Sequence, residues 1–173
     1  MAPIYLPPWR IDVSARAGVK SPASAAELAR VATRALAAAR APSPASLAII
    51  LSDDLELADL NVRHMGHEGP TDVLSFPMLP PFAFPAHTGQ DPGARMAPTT
   101  PFALPKGRGP HLGDIVVSVE RAVAQAPAQG WSAAGELRQL VVHGVLHVCG
   151  WDHARADERA AMRALESAVL SAR

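Results

Sequence analysis

The sequence predicts a mixed α/β fold of α+β character, with a small four-stranded mixed sheet packed with about five helices in a single domain. The length of 173 residues suits one domain with a buried core, and 49% of the residues are apolar. Short apolar runs alternate with segments of helical periodicity along the chain. Strands interleaved with helices are typical of a layered α/β domain.

The first two predicted elements are a strand and a helix. Residues 10–16 alternate apolar and polar side chains, which favours an edge strand. Residues 22–40 are rich in Ala, Leu and Arg and predict a helix. Ser24 followed by Glu27 forms a capping box at its start.

The next elements are two strands on either side of a helix. The apolar run Leu47–Leu51 predicts a buried strand. Residues 52–54, Ser-Asp-Asp, then supply an N-cap for a helix that should run to about Val62. Residues 72–76 predict another strand, which Pro77 should end.

A Pro-rich segment interrupts this pattern at about residues 79–110. It holds eight prolines and four glycines and has no apolar periodicity. Loops of this length are uncommon in compact domains and are either functional or disordered. We therefore expect a loop insertion within a domain that otherwise spans residues 1–173.

The C-terminal third predicts one strand and three helices. Residues 112–118 form the strand and residues 119–126 the first helix. Ser132 opens a long helix that should end at Gly150, where glycine can take the left-handed conformation. A final helix should cover about residues 157–172.

Charge and cysteine content restrict the function. Lys plus Arg and Asp plus Glu number 16 each, so the chain as a whole has no basic signal for nucleic acid. A single cysteine, Cys149, excludes an internal disulfide. No window reaches the ~18 consecutive apolar residues of a membrane span, and the Pro-rich start does not resemble a signal peptide. We expect a cytoplasmic protein with no membrane partner.

Three histidines form the strongest functional signal. His143 and His147 are four residues apart, so on a helix their side chains lie on one face, one turn apart. A chain reversal at Gly150 would return His153 toward the same point. Three imidazoles that leave a fourth position open for water are the usual arrangement of a catalytic zinc. We therefore predict that His143, His147 and His153 bind one zinc ion, or another divalent transition metal, and are the catalytic residues.

This segment has two other interpretations. Isolated histidines are mostly ordinary surface or core residues, but imidazoles without partners are unfavourable in an apolar helix. The spacing His-x-x-x-His-x-x-Gly-x-x-His also occurs in metzincin proteases, where a Glu follows the first His as general base. Gly144 stands at that position and cannot exchange a proton. A metallopeptidase would therefore need a base from another part of the chain.

Three motifs, taken in order, resemble one known family. The segment 143–153, His-Gly-Val-Leu-His-Val-Cys-Gly-Trp-Asp-His, is similar to the signature of the YbeY endoribonucleases, or rRNA maturation factors. The segment 71–77, Thr-Asp-Val-Leu-Ser-Phe-Pro, and the segment 112–118, Leu-Gly-Asp-Ile-Val-Val-Ser, resemble two strands of the same family. The resemblance covers roughly residues 47–78 and 111–170.

The resemblance implies an α/β fold with the three histidines on zinc. It implies an endoribonuclease that cuts single-stranded RNA in rRNA 3′-end maturation and ribosome quality control. The partners it implies are single-stranded rRNA and the small ribosomal subunit with its proteins, in the cytoplasm. Asp114 matches an acidic position of the family, for which ligand orientation, contact with a ribosomal protein and turn capping all stay open.

One departure from the family pattern bears on RNA binding. The family usually carries an arginine just before the glycine at Gly66, and this chain has Met65 there. Arg63, two residues earlier, is our candidate for the RNA contact. Met65 also keeps open an alternative function, a ribosome-assembly binding factor whose metal site is structural or vestigial.

Overall fold

A computed structural model of the chain describes residues 3–87 and 109–172. Five strands and five α-helices occur within these residues. The strands are β1 (Ile4–Leu6), β2 (Trp9–Ala15), β3 (Ala45–Ser52), β4 (Val73–Pro77) and β5 (His111–Ser118). The helices are α1 (Ala25–Ala38), α2 (Asp54–Met65), α3 (Val119–Gln129), α4 (Ala133–Val148) and α5 (Ala156–Ser171). The mixed α/β class and the number of helices are as predicted.

The described strands form one mixed sheet in the order β1-β2-β3-β5-β4. Strands β2, β3 and β5 are parallel, and the two edge strands, β1 and β4, run antiparallel to their neighbours. The predicted count of four strands is therefore wrong by one. The missed strand, β1, has only three residues, flanked by Pro3 and Pro7, so it carries too little alternation to detect.

The predicted caps fix the ends of two helices. Ser24 and Glu27 form the capping box of α1 in both directions. The Asp53 side chain accepts a hydrogen bond from the Glu56 N–H at the start of α2. That helix extends past the predicted end to Met65 because Gly66, at φ 70°, forms its left-handed C-cap.

Helices cover both faces of the sheet. On one face, α1 and α4 pack against the central strands, and Leu36, Ile49 and Val145 are fully buried there. On the other face, Leu57 of α2 packs with Leu74 and Val116 in a smaller apolar cluster. This packing fixes α4, which carries His143 and His147, beside β4 and β5.

The Pro-rich segment is only partly described. Residues 88–108 lie outside the described residues. Before them, the chain forms a 3-10 turn at Pro81–Ala83, and Leu79 and Phe84 are buried in the main core. Residues 79–87 of the predicted loop insertion therefore contribute to the core, and their burial depends on tertiary contacts rather than on local periodicity. Among the helices in the described parts of the chain, none is long and apolar enough to cross a membrane.

Candidate metal centre

The three predicted histidines lie together at the C-terminal end of α4. His143 and His147 lie one turn apart on the helix, which begins at the Ser132 N-cap. After the helix the chain reverses at Gly150, at φ 81°, as the sequence predicted. The Trp151 N–H then donates to the Leu146 carbonyl at 3.0 Å. This reversal returns His153, and one ring nitrogen from each of the three histidines lies within 4.8 Å of the others.

The donor atoms suit a transition metal. The Nε2 atoms of His143 and His147 are 3.0 Å apart, and the ring centroids of the three residues are separated by 4.5 to 5.4 Å. His143 and His147 are half-buried, whereas His153 is exposed, so the cluster opens to solvent on one side. Imidazole nitrogens bind zinc, copper, iron and nickel well. The residues present therefore fit one such ion.

A carboxylate that the sequence analysis missed supports this cluster. Glu166 of α5 is 7% exposed, and its Oε1 lies 2.8 Å from the Nδ1 of His143. The side-chain amide of Gln139 donates to the other carboxylate oxygen at 3.1 Å. A carboxylate on the far nitrogen of a metal-binding histidine fixes its tautomer and ring orientation. The only sequence signal was the position of Glu166 on the same face of α5 as the buried Met162 and Val169.

Electrostatics keeps His147 in the form that binds metal. Burial, followed by the neighbouring charges of His143 and His153, lowers the pKa of His147 to about 4. Its imidazole is therefore neutral at neutral pH. A neutral nitrogen is required of a metal ligand, because a protonated imidazole has no free lone pair.

Cys149, by contrast, is a core residue. Its side chain is fully buried, and burial raises the pKa of the thiol to about 12. A thiol in that environment stays protonated, so it is not the thiolate that metals require. The cysteine between the histidines in sequence therefore adds no ligand.

Gly144, the residue after the first histidine, faces the sheet. A Cβ placed there would lie 2.6 Å from the Ile115 side chain and 3.2 Å from that of Val73. The Ser75 hydroxyl donates to the Gly144 carbonyl at 3.1 Å across the same contact. The position therefore leaves no room for a glutamate, which removes the general base that a peptidase of the metzincin type would place there.

A cavity of about 370 Å³ adjoins the histidines. Its walls come from α4, the segment after it and one face of α5. The lining residues are Gln139, His143, His153, Arg159, Met162, Arg163 and Glu166. The cavity gives a ligand access to two of the three candidate metal ligands.

Arg63, the candidate RNA contact, is not among the residues that line this cavity. Its exposed guanidinium pairs with Asp59 at 2.8 Å, one turn earlier on α2. Met65, at the end of the same helix, is 44% exposed. The RNA-binding role of Arg63 therefore stays a prediction.

Asp114 belongs to a second polar group, on β5. Its Oδ1 lies 2.7 Å from the Nε2 of His111, whose Nδ1 lies 3.1 Å from the Ser46 hydroxyl. A register shift between β3 and β5 brings His111 and Asp114 to the same side of the strand. This pairing favours a local structural role for Asp114 and does not involve the three clustered histidines.

Comparison with known proteins gives a consistent match. Residues 12–173 match the family described as Endoribonuclease YbeY. Proteins named Endoribonuclease YbeY are similar over most of their length. The one from Thermobifida fusca is 40% identical, over 93% of this chain and 92% of the relative. The one from Symbiobacterium thermophilum is 42% identical, over 82% and 81%, and the one from Mycobacterium tuberculosis is 40% identical, over 92% and 81%.

A solved structure agrees at the level of the fold. The solution structure of a Thermotoga maritima protein superimposes with a TM-score of 0.50 and 18% sequence identity, covering 92% of this chain and 88% of the other. At this identity the likeness supports the fold and nothing finer.

Proposed function

The chain belongs to the Endoribonuclease YbeY family, whose members are hydrolases acting on RNA, and from that premise we propose that it is a zinc-dependent endoribonuclease specific for single-stranded RNA. The observation that supports the proposal is the three-histidine cluster, whose ligand nitrogens lie within 4.8 Å of one another. His143, His147 and His153 would hold the ion, with Glu166 orienting His143. A bound zinc ion would supply Lewis acidity and positive charge for phosphodiester hydrolysis.

The choice of zinc follows from the ligand set. Three imidazoles with no thiolate and no carboxylate among the candidate ligands resemble open catalytic zinc sites, in which a fourth position stays free. Another divalent transition metal that accepts imidazole would fit the same nitrogens. We therefore propose zinc, and the test below measures which metal is bound.

The substrate proposal is narrower than RNA in general. We propose single-stranded rRNA, cut in 3′-end maturation and ribosome quality control, with the small ribosomal subunit and its proteins as partners in the cytoplasm. The support is the resemblance of three motifs, at residues 71–77, 112–118 and 143–153, to the family of rRNA maturation factors.

One observation favours a second candidate function. Met65 replaces the arginine usual in the family, and the nearby Arg63 is engaged by Asp59. A chain that has lost a phosphate contact at this position could act as a ribosome-assembly factor whose metal site is structural or vestigial. It would bind ribosomal RNA or protein and cut nothing.

The test combines metal analysis with RNA cleavage. Wild type, His147→Ala and a matched control, His67→Ala, would be purified and analysed for metal. Each would then be incubated with a labelled single-stranded RNA, with and without chelator. His67 is an exposed histidine outside the cluster. We expect about one zinc per chain and cleavage for wild type and the control, and neither for His147→Ala.

Two results would contradict the proposal. Bound metal without RNA cleavage by wild type would favour the assembly factor. Cleavage that persists in chelator and in His147→Ala would show that the histidine cluster is not the active site.

A further inference from the structure

Two arginines line the cavity beside the histidine cluster. Arg159 and Arg163 lie one turn apart on α5, and both are exposed. His143 and His153 line the same cavity. Any anion that reaches the candidate metal centre through this cavity therefore passes two guanidinium groups.

The packing of α5 fixes the direction of both arginines. Met162, 1% exposed, and Glu166, 7% exposed, anchor the helix against the rest of the protein. Arg159 is three residues before Met162 and Arg163 is three residues before Glu166, so both lie on the same side of the helix as the buried pair. Both arginines line the cavity and remain exposed to solvent.

These two positive charges are not neutralised within the described residues. No carboxylate of the described ranges lies within 4.0 Å of either guanidinium as an ion pair, and Arg159 makes only a 3.4 Å hydrogen bond to the Ala154 carbonyl. Arg155, one turn earlier, differs because it pairs with Asp157 at 2.9 Å. The single acid of the cavity wall, Glu166, is held by His143 and Gln139 instead.

We propose that Arg159 and Arg163 form the phosphate-binding wall of the active-site cavity and hold the backbone of a single-stranded RNA beside His143 and His153. The inference rests on the proposed endoribonuclease function and adds the residues that bind its substrate. Arginine suits this task because its planar guanidinium makes paired hydrogen bonds to phosphate oxygens. The chain as a whole is neutral, with 16 residues of each sign, so phosphate attraction must come from such local groups.

The phosphate-binding wall also explains how this chain binds RNA with Met65 at the position where the family usually has arginine. A phosphate contact made from α5 lies within the cavity of the histidines, whereas Arg63 of α2 does not line it. Electrostatic attraction of the substrate then needs no cation at the end of α2.

The experiment measures RNA binding without metal, so that affinity is separated from cleavage. A short fluorescent single-stranded RNA would be titrated with chelated wild type and with Arg159→Gln, Arg163→Gln, the double variant and Arg163→Lys. Arg30→Gln is the matched control, because Arg30 is an exposed arginine of α1 that does not line the cavity. Metal content, cleavage rate and thermal stability would be measured on the same samples.

We expect the Kd to rise about tenfold for each single Gln variant, as for loss of one charge-assisted hydrogen bond. The dependence of log K on log salt should become shallower by about 0.7 for each arginine removed, the value for single strands. Arg163→Lys should fall between wild type and Arg163→Gln, and Arg30→Gln should match wild type. Metal content should not change in any of them.

The outcomes separate the two proposals. If wild type cuts RNA but the double variant binds as tightly as Arg30→Gln, the phosphate wall is disproved and the nuclease function stands. If metal-loaded wild type neither binds nor cuts RNA, both proposals fail.

Discussion

Both ring nitrogens of His143 have a close partner. One partner is another histidine of the cluster, and the other is a buried carboxylate. Its Nε2 faces His147, whereas its Nδ1 lies 2.8 Å from Glu166. Glu166 is itself held by Gln139. A ring fixed in this way presents the same nitrogen to a metal at every encounter, so less of the binding free energy is lost to ordering it.

Glu166→Gln should weaken metal binding without unfolding the protein. The amide keeps the shape of the side chain but lacks the charge that stabilises the ligand tautomer of His143. We expect zinc affinity to fall about 10- to 100-fold, the usual effect of removing such a partner. Competition with a chromophoric chelator would measure it, and Glu68→Gln, at an exposed site, is the control. An unchanged affinity would mean that Glu166 only packs against His143.

The packing around α4 requires a glycine at position 144. Gly144 also has no side chain that could act as a general base. An added methyl group would lie 2.6 Å from Ile115, which the core can accommodate only by moving. We expect Gly144→Ala to lower the free energy of unfolding by about 1–3 kcal/mol, as for other overpacked sites.

A second glycine of α4 is the control for that substitution. At Gly135 the nearest contact of an added Cβ is 3.3 Å, to the Ser132 hydroxyl. Gly135→Ala should change the free energy of unfolding by less than about 1 kcal/mol, because the contact is to a side-chain hydroxyl and alanine favours a helix by about 0.5–1 kcal/mol. Denaturant unfolding of both variants would measure the difference, and equal stability of the two would contradict the packing argument.

At the scale of the element, α4 carries a buried acid in its first turn. Glu136 is 5% exposed, and its Oε2 has no hydrogen-bond partner among the described residues. Burial, and secondly the charge of Asp72, raise the pKa of Glu136 above its ordinary value of 4.5. The folded protein therefore holds the proton of Glu136 to a higher pH than the unfolded chain does.

This pKa shift predicts a pH-dependent gain from Glu136→Gln. Below about pH 4.5 both states are protonated and the substitution should change little. As the pH rises, Glu136 ionises first in the unfolded chain. The free energy of unfolding of wild type therefore falls until the pH passes the pKa of Glu136 in the folded protein. We expect Glu136→Gln to unfold at a higher temperature than wild type at pH 7.5 and at a similar temperature at pH 4. Glu68→Gln should show no such trend, and a parallel trend would contradict the assignment.

Elements with local signals could be predicted, and elements defined by tertiary contacts could not. The capping box of α1, the Asp53 cap of α2 and the Gly150 reversal are each encoded within a few residues, so their positions were predicted from the sequence. The same holds for the three clustered histidines. Glu166 was missed because its partner, His143, is 23 residues away and on another helix.

At the scale of the whole molecule, the core extends into the Pro-rich segment. Leu79 and Phe84 are buried with residues of α1, α4 and the sheet, although neither belongs to a periodic pattern. Sequence periodicity reports regular elements only, so a core residue in an irregular segment gives no local signal.

Phe84→Ala should therefore destabilise the fold substantially. The side chain is 3% exposed, and loss of a buried phenylalanine costs about 3–5 kcal/mol through lost apolar burial and the cavity left behind. Urea unfolding would measure the change. Met78→Ala, at a side chain 54% exposed, should cost under about 1 kcal/mol, and an equally small effect for Phe84→Ala would show that this segment is peripheral.

The ring of Trp151 stacks on that of His87, with centroids 4.0 Å apart and planes 6° from parallel. Trp151 is two residues before His153, so we expect its fluorescence to respond when a metal ion binds the candidate site. The other two tryptophans, Trp9 and Trp131, lie in β2 and between α3 and α4, and replacing both with phenylalanine would leave Trp151 as the sole tryptophan. Titrating zinc into that variant would then read out occupancy by fluorescence, with no dye attached and no substrate present.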